Sequence, residues 1–440
     1  MEEWLMGRRL LKKEIPKEYH HQLKQSVVIR QKGMKKEGSF YCCQRCGTKW
    51  LAKECCIKNK YEHFYYCQEC LILGRVESRR HLYSVKEKIN LPRRIDFQWQ
   101  GKLTPDQKKI SEELVLSFKR KKNHMVHAVT GAGKTEMLFP LLKKALSQGA
   151  RVAVVSPRVD VCLELYPRFQ EVFPQEELAL LYGASEETYR YTSFVVATTH
   201  QLLRFYQGFD LIVVDEVDAF PYAGNQGLEY GVHQALKPQG VLVYLTATPS
   251  QTFKGKIDKK ELLGSYLPKR YHGYPLPEPE SHFDFFLVKN LEKHQLSTYF
   301  LKLLRVQERQ CLIFFPNIER MKICYVELKK LFPNKKIAYV YANKSDRKEQ
   351  IIGMRKKQVD WLLTTTILER GVTFPGIDVI VFEADHRVFN TASLVQIAGR
   401  VGRKKEFPTG HIYFLHTGRT RAIKQAISQI KWMNQKAGFK

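Results

Sequence analysis

The run Ala128-Val129-Thr130-Gly131-Ala132-Gly133-Lys134-Thr135 carries the residue types that hold a triphosphate. Gly131, Ala132 and Gly133 are small enough for backbone N–H groups to approach phosphate oxygens at the start of a helix. Lys134 sets a compact positive charge on those oxygens, and the Thr135 hydroxyl suits Mg²⁺. The usual first glycine of this pattern is Ala128 here. Further on, Asp215-Glu216-Val217-Asp218 closes an apolar run. Asp215 can hold Mg²⁺ through its water shell, and Glu216 can orient and deprotonate an attacking water. Near the C-terminus comes Gln396-Ile397-Ala398-Gly399-Arg400-Val401-Gly402-Arg403. Arg400 and Arg403 can neutralise charge developing on a transferred phosphoryl group, an effect worth about 10³–10⁵ in rate. Thr246-Ala247-Thr248-Pro249 offers hydroxyls that can bond the acidic motif. Taken singly, these are a glycine turn, an acidic turn, a basic helix face and a loop. Together and in this order they imply ATP hydrolysis driving movement along a nucleic acid.

Elements must place these groups. Met125-Val126-His127-Ala128-Val129 reads as a strand, and Glu136 onward as a helix. Phe209-Asp210-Leu211-Ile212-Val213-Val214 reads as a buried parallel strand, which puts Asp215-Glu216 at its C-terminal end, where open α/β sheets bind ligands. Strand-like and helical segments alternate from 125 to 246, as in a parallel sheet with crossover helices. A second alternation begins near Phe283-Asp284-Phe285-Phe286-Leu287. It passes through Ile337–Val340, Trp361–Leu363 and Val379–Phe382, and ends at the strand His411–Phe414 and a terminal helix. Between the two, 268–279 holds four prolines and reads as a linker. ATP is expected between the halves, with Lys134 and Glu216 on one wall and Arg400 and Arg403 on the other.

The first hundred residues hold seven of the ten cysteines, with Cys43-x2-Cys46 and Cys67-x2-Cys70 set 20 residues apart. Two such knuckles match the spacing of a four-thiolate Zn²⁺ site; a disulfide pair is disfavoured in a cytosolic enzyme. Cys42 leaves the first ligand ambiguous by one position, and Cys55-Cys56 can stand in for a pair. Cys162, Cys311 and Cys324 lie in apolar surroundings and read as packed thiols. Tyr61, Phe64, Tyr65 and Tyr66 alternate with Lys49, Lys53, Lys58, Lys60 and Arg75. That pattern suits stacking of single-stranded bases, or equally the packed core of a small module. Loss of a zinc ligand is expected to unfold this module and spare the motor.

The 440 residues carry a formal net charge of +29. Over residues 1–100 there are 22 Lys/Arg against 11 Asp/Glu, so the excess is spread along the chain. Spread positive charge suits a polyanionic track better than a small acidic substrate. No apolar stretch reaches the roughly 18 residues needed to span a bilayer. A cytosolic chain is expected, able to rest on an anionic leaflet.

From about residue 100 to 440 the chain resembles the superfamily 2 helicases of the DEAD/DExD class. Leu103-Thr104-Pro105-Asp106-Gln107 resembles the motif whose glutamine reads the adenine edge. Ser156-Pro157-Arg158 and Ala197-Thr198-Thr199-His200 resemble strand-end motifs that grip the nucleic-acid backbone, implying Pro157, Arg158, Thr198 and Thr199 as contacts. Cys311 to Pro316 resembles the fourth motif. Thr364-Thr365-Thr366 through Glu369-Arg370-Gly371-Val372 resembles the fifth, implying Thr365 on nucleic acid and Gly371 near the nucleotide. Gln396, where RNA helicases of the DEAD-box group usually have His, and Thr373, where they usually have Asp, favour a DNA-acting member. The resemblance implies an α/β chain: two tandem RecA-like parallel-sheet domains at 99–267 and 281–440, joined by a linker at 268–280. A zinc-binding module over 1–98 precedes them.

The cysteine module ahead of the motor narrows the resemblance to the late-competence ComFA family, to which Leu73-Gly74-Arg75 and Thr364 to Phe374 are also similar. It implies a DNA-dependent ATPase with Mg²⁺-ATP and one structural Zn²⁺, a cytoplasmic motor at the inner face of the membrane that helps draw in single-stranded DNA. Its implied partners are the uptake-channel protein and ComFC. The alternatives are a replication-restart or repair helicase of the PriA type, whose cysteines lie within the motor, and a DNA-binding scaffold without activity.

Overall fold

The computed structural model describes residues 2–88, 90–183, 189–342, 344–369 and 374–439. The expected Arg370-Gly371-Val372 segment, with Thr373, lies outside them. The chain divides into two compact units, Met1–His127 with Lys134–Tyr266, and Ala128–Gly133 with Leu267–Lys440.

Up to Leu267 the strands are β1 (Arg9–Leu11), β2 (Ile29–Lys32), β3 (Met34–Glu37), β4 (Phe40–Cys43), β5 (Lys49–Leu51), β6 (Cys56–Lys58), β7 (His63–Tyr65), β8 (His81–Ser84), β9 (His124–Ala128), β10 (Val152–Ser156), β11 (Leu178–Leu181), β12 (Phe194–Thr198), β13 (Phe209–Asp215), β14 (Leu236–Thr246) and β15 (Leu263–Leu267). The last seven form one sheet in the order β11-β12-β10-β13-β14-β9-β15, and each neighbouring pair from β11 to β9 is parallel. Val152-Ala153-Val154-Val155 and Leu211-Ile212-Val213-Val214 are fully buried, as strands covered on both faces must be. Polar residues are thereby pushed to the strand ends. Ser156, Thr198, Asp215 and Thr246 all close parallel strands on one rim of the sheet.

The N-terminal hundred residues do not stand apart. Leu11, Met34, Cys43, Cys46, Val76 and Leu82 share one buried cluster with Met125, Val155, Phe209 and Val214 of the large sheet. Charged pairs reinforce the join. The Arg151 guanidinium, fully buried before β10, meets Glu87 at 2.7 Å, and Glu14 takes Arg204 at 3.0 Å while also pairing with the buried Arg45. The module and the first motor sheet thus have a common core, which argues against the motor being spared by loss of a cysteine ligand.

In the second unit β16 (Glu280–Phe283), β17 (Gln310–Phe314), β18 (Ile337–Val340), β19 (Trp361–Thr364), β20 (Ile377–Val381) and β21 (Ile412–His416) form a sheet. Their order is β16-β21-β20-β17-β19-β18, parallel throughout. The expected strand through Phe286 stops at Phe283. Asp284 accepts a bond from the Phe286 N–H at 3.1 Å and turns the chain, and Leu287 opens a helix, Leu287–Glu292. Residues 268–279 hold neither helix nor strand, as their prolines imply. Among the described residues no helix is long and apolar enough to cross a membrane.

Candidate nucleotide site and cysteine cluster

The phosphate loop connects β9 to the helix Lys134–Ser147. Gly131 and Gly133 have φ of +77° and +71°, a region that costs any L side chain and that glycine enters freely. Ala128 is the last residue of an extended strand, so the departure from glycine there imposes no strain. Lys134 Nζ lies 4.0 Å from Asp215 Oδ1. Arg168 donates to Thr135 Oγ1 at 3.3 Å and pairs with Glu136; nothing in the spacing of the motifs marked this arginine.

Asp215 is buried at the end of β13, and burial lifts its carboxyl to about 6; Lys134 opposes this and Glu216 adds to it. A buried carboxylate short of positive charge is what a divalent cation satisfies, so Asp215 and Thr135 fit the expected magnesium pair. Glu216 has φ +57°, which turns the chain sharply off the strand, and its N–H donates to Asp215 Oδ1 at 2.9 Å. Asp218 collects the neighbouring hydroxyls: Thr246 Oγ1 donates to one oxygen and Thr248 Oγ1 to the other, each at 2.7 Å. The threonines therefore do bond the acidic motif, through Asp218.

Gln107 occupies a capping box on the helix Pro105–Lys119. Its Oε1 accepts from the Thr104 N–H at 2.9 Å, and its own N–H donates to Thr104 Oγ1 at 3.3 Å. The Thr-x-x-Gln spacing signals that local role as plainly as an adenine contact. On the rim, Pro157 and Arg158 follow β10, with Arg158 Nε 3.4 Å from Asp160. Thr198 closes β12 and Thr199 follows it, both buried, so a grip on a phosphate backbone at this strand end would run through main chain and not their hydroxyls.

In the second unit Thr365 caps the short helical turn Thr366–Leu368. The helix Thr391–Ala398 delivers the glycine–arginine motif. Arg400 is buried, its Nε donating to Glu369 O at 3.1 Å. Arg403 is half-buried, its Nε on Gly399 O at 3.0 Å. Arg270, from the proline-rich segment, donates to Gly402 O at 2.6 Å and Val401 O at 2.9 Å. Burial, helped by the like charge of Arg403, lowers Arg270 to about 9. It sets the backbone on which Arg403 sits, and sequence reasoning passed over it as linker.

Cys43, Cys46, Cys67 and Cys70 gather with all four sulfurs within 4.8 Å of one another, and all are buried. Cys43–Cys70 is 3.7 Å and Cys46–Cys67 is 3.5 Å. Both are far beyond a disulfide bond of about 2.05 Å, and near the ~3.8 Å edge of a tetrahedron built on ~2.3 Å zinc–thiolate bonds. Hydrogen bonding among the four thiols raises Cys70 and lowers Cys46, so the thiolate is favoured at Cys46. Cys42 points elsewhere, its sulfur 3.6 Å from Gly47 O, and Cys55 faces Ala52 O at 3.9 Å. Of the two candidates for the first position, Cys43 is the one that lies in the cluster. Cys162, Cys311 and Cys324 are packed thiols, each fully buried. Of the module's aromatics, Phe64 is core, under Arg75 and Arg79, and Tyr65 stacks on Tyr41 at 3.7 Å. Tyr61 is 86% exposed. The packed-core alternative thus holds for Phe64, while Tyr65 and Tyr66 are half-buried.

Two parallel sheets bearing these motifs at their strand ends define a helicase-type motor of superfamily 2. Residues 100–251 match the family described as type III restriction enzyme, res subunit, and residues 293–405 the helicase conserved C-terminal domain. Residues 1–84 match the competence protein ComFA N-terminal domain. Over 438 residues the chain is 43% identical to competence protein ComFA of Streptococcus pneumoniae, spanning 99% of this chain and 98% of that one. To ComFA of Bacillus subtilis it is 35% identical over 457 residues, at 99% and 96% coverage. The chain belongs to the ComFA family. In fold it is similar to Dbp5 of S. cerevisiae bound to RNA and ADP BeF3, with TM-score 0.54 and 17% identity over 75% of this chain and 91% of that one.

Proposed function

We propose that this protein is a DNA-dependent ATPase that translocates on single-stranded DNA and draws it inward during competence. The observation that carries it is Lys134, Asp215 and Glu216 converging at one sheet rim in a chain of the ComFA family. Lys134 binds the terminal phosphates. Thr135 and Asp215 would hold magnesium, which spreads phosphate charge when bound. Glu216 orients the attacking water and takes its proton. Arg403 neutralises charge on the transferred phosphoryl group, with Arg400 as its buried support. Gln107 reads the adenine edge, Gly371 belongs to the nucleotide-binding set, and Pro157, Arg158, Thr198, Thr199 and Thr365 follow the DNA backbone. Cys43, Cys46, Cys67 and Cys70 hold one structural Zn²⁺, closed to water.

The spread positive charge supports a polyanionic track and a resting place on an anionic leaflet; kinship with the ComFA family is the ground for taking the channel protein and ComFC as partners. ATP hydrolysis is measured with no nucleic acid, single-stranded DNA, duplex DNA and RNA in parallel. Strongest stimulation by single-stranded DNA is expected. Equal or stronger stimulation by RNA refutes the DNA assignment.

A further inference from the structure

Phe220 is the large apolar side chain most at odds with its surroundings: it is 87% exposed, while its neighbours Ala219 and Tyr222 are buried at 2% each. It stands on the loop that leaves Glu216, and it overhangs a groove of about 810 Å³. One wall is that loop: Phe220, Pro221, Gly224 and Asn225. The other is the cysteine knuckles: Cys46, Gly47, Thr48 and Lys49 from the first, and the carboxylate of Glu69 from the second. The floor is the start of the helix Gln226–Ala235, with Gln226 and Gly227 lining it and Asn225 capping the Leu228 N–H at 3.0 Å.

Three features point to one class of ligand. A bare aromatic face suits base stacking, which tolerates any base because every base has a π-face. The start of the helix Gln226–Ala235 carries the positive end of the helix dipole, which attracts phosphate. Lys49 is the basic residue lining the groove, and its pair with Glu37 at 3.0 Å is exposed and open to exchange for a phosphate. The groove also lies beyond the rim where β13 ends, the same rim that carries Pro157 and Arg158.

We propose that this groove is a subsite for single-stranded DNA, in which a base stacks on Phe220 and the adjoining phosphate meets Lys49 and the helix start. The proposal rests on the translocase reading above. It gives the cysteine cluster a second role, as the wall of a DNA site, because Gly47 sits so close to Tyr230 that a Cβ would lie 2.5 Å from its ring. The knuckle therefore packs directly against the helix Gln226–Ala235. Occupancy is also felt at the acidic motif. Ala219 N–H donates to Glu216 O at 2.8 Å, Tyr222 N–H to Ala219 O at 3.0 Å, and Asn225 N–H to Tyr222 O at 3.0 Å, a hydrogen-bonded run from the groove floor to the residue assigned to water activation.

The test uses the full-length chain with labelled oligo-dT, followed by anisotropy and by the dT concentration that half-maximally stimulates ATP hydrolysis. Phe220→Ala, at an exposed position, is expected to keep the wild-type Tm and weaken dT binding at least about fivefold. The half-stimulating concentration should rise by the same factor. Phe220→Trp is expected to retain binding, with its indole fluorescence quenched on addition of dT. Wild-type affinity and stimulation in Phe220→Ala, or an indole that dT leaves unquenched, overturns the groove alone. Failure of the wild-type chain to bind dT overturns the translocase reading and this subsite with it.

Discussion

Replacing Glu87 by alanine should unfold the cysteine module and the first motor sheet together. Arg151 is fully buried and Glu87 nearly so, at 2.7 Å. The other acceptors around that guanidinium are neutral: Thr192 O at 2.9 Å, the Tyr189 hydroxyl at 2.7 Å and Met6 O at 3.3 Å. Removing the one carboxylate leaves a buried cation without a counter-charge, which costs about 3–5 kcal/mol. Tyr191 also loses its acceptor on Glu87, adding about 1 kcal/mol. Because Cys67 and the large sheet share one core, the cost falls on the whole first unit. Pulsed thiol labelling across a urea gradient, read by mass spectrometry at Cys67 and at Cys162, follows both parts at once. Both should become reactive at one midpoint, lowered by about 1 M or more. Removing the two charges together, Glu87→Leu with Arg151→Met, should recover most of the loss. A shift at Cys67 with Cys162 unmoved, or a cost under about 1 kcal/mol, refutes the shared core.

Lys134→Ala should abolish ATP hydrolysis with DNA binding retained, whereas Glu216→Gln should bind ATP and not turn it over; near-normal turnover in the latter removes Glu216 from water activation. Arg403→Ala should lower kcat far more than it weakens ATP affinity, because its charge matters mainly in the transition state; the reverse pattern in steady-state kinetics makes it a binding residue. His124 lies between the Ser117 and Ser265 hydroxyls, 2.7 Å from each, and burial pulls it down to about 4. The unfolded chain binds this proton near pH 6.5 and the folded one does not. Stability should therefore be full above about pH 6.5 and fall by about 3 kcal/mol toward pH 4. His124→Asn should flatten that part of the urea-midpoint profile, and an unchanged profile refutes the assignment.

The motor was legible because its chemistry sits on short contiguous motifs. A glycine pair at positive φ, a β-run ending in Asp-Glu and a knuckle spacing are each fixed by local geometry. What the sequence concealed depends on contacts between distant segments. Arg151 and Glu87 lie 64 residues apart, and neither belongs to a motif. Arg270 reads as part of a proline-rich linker, yet its donors hold Val401 and Gly402. The strand expected through Phe286 failed for a local reason, since Asp284 accepts the N–H that a strand would direct to its neighbour. The aromatic pattern around the knuckles supported stacking and packing alike. Only burial separated Phe64, a core residue, from the exposed Tyr61.

The central claim is movement along single-stranded DNA driven by ATP, and the most direct test is displacement of streptavidin from the biotinylated ends of an oligonucleotide. With wild-type protein, the account predicts release that requires ATP, is faster from one end than the other, and is absent in Glu216→Gln. Hydrolysis stimulated by the same DNA with no release from either end would contradict it.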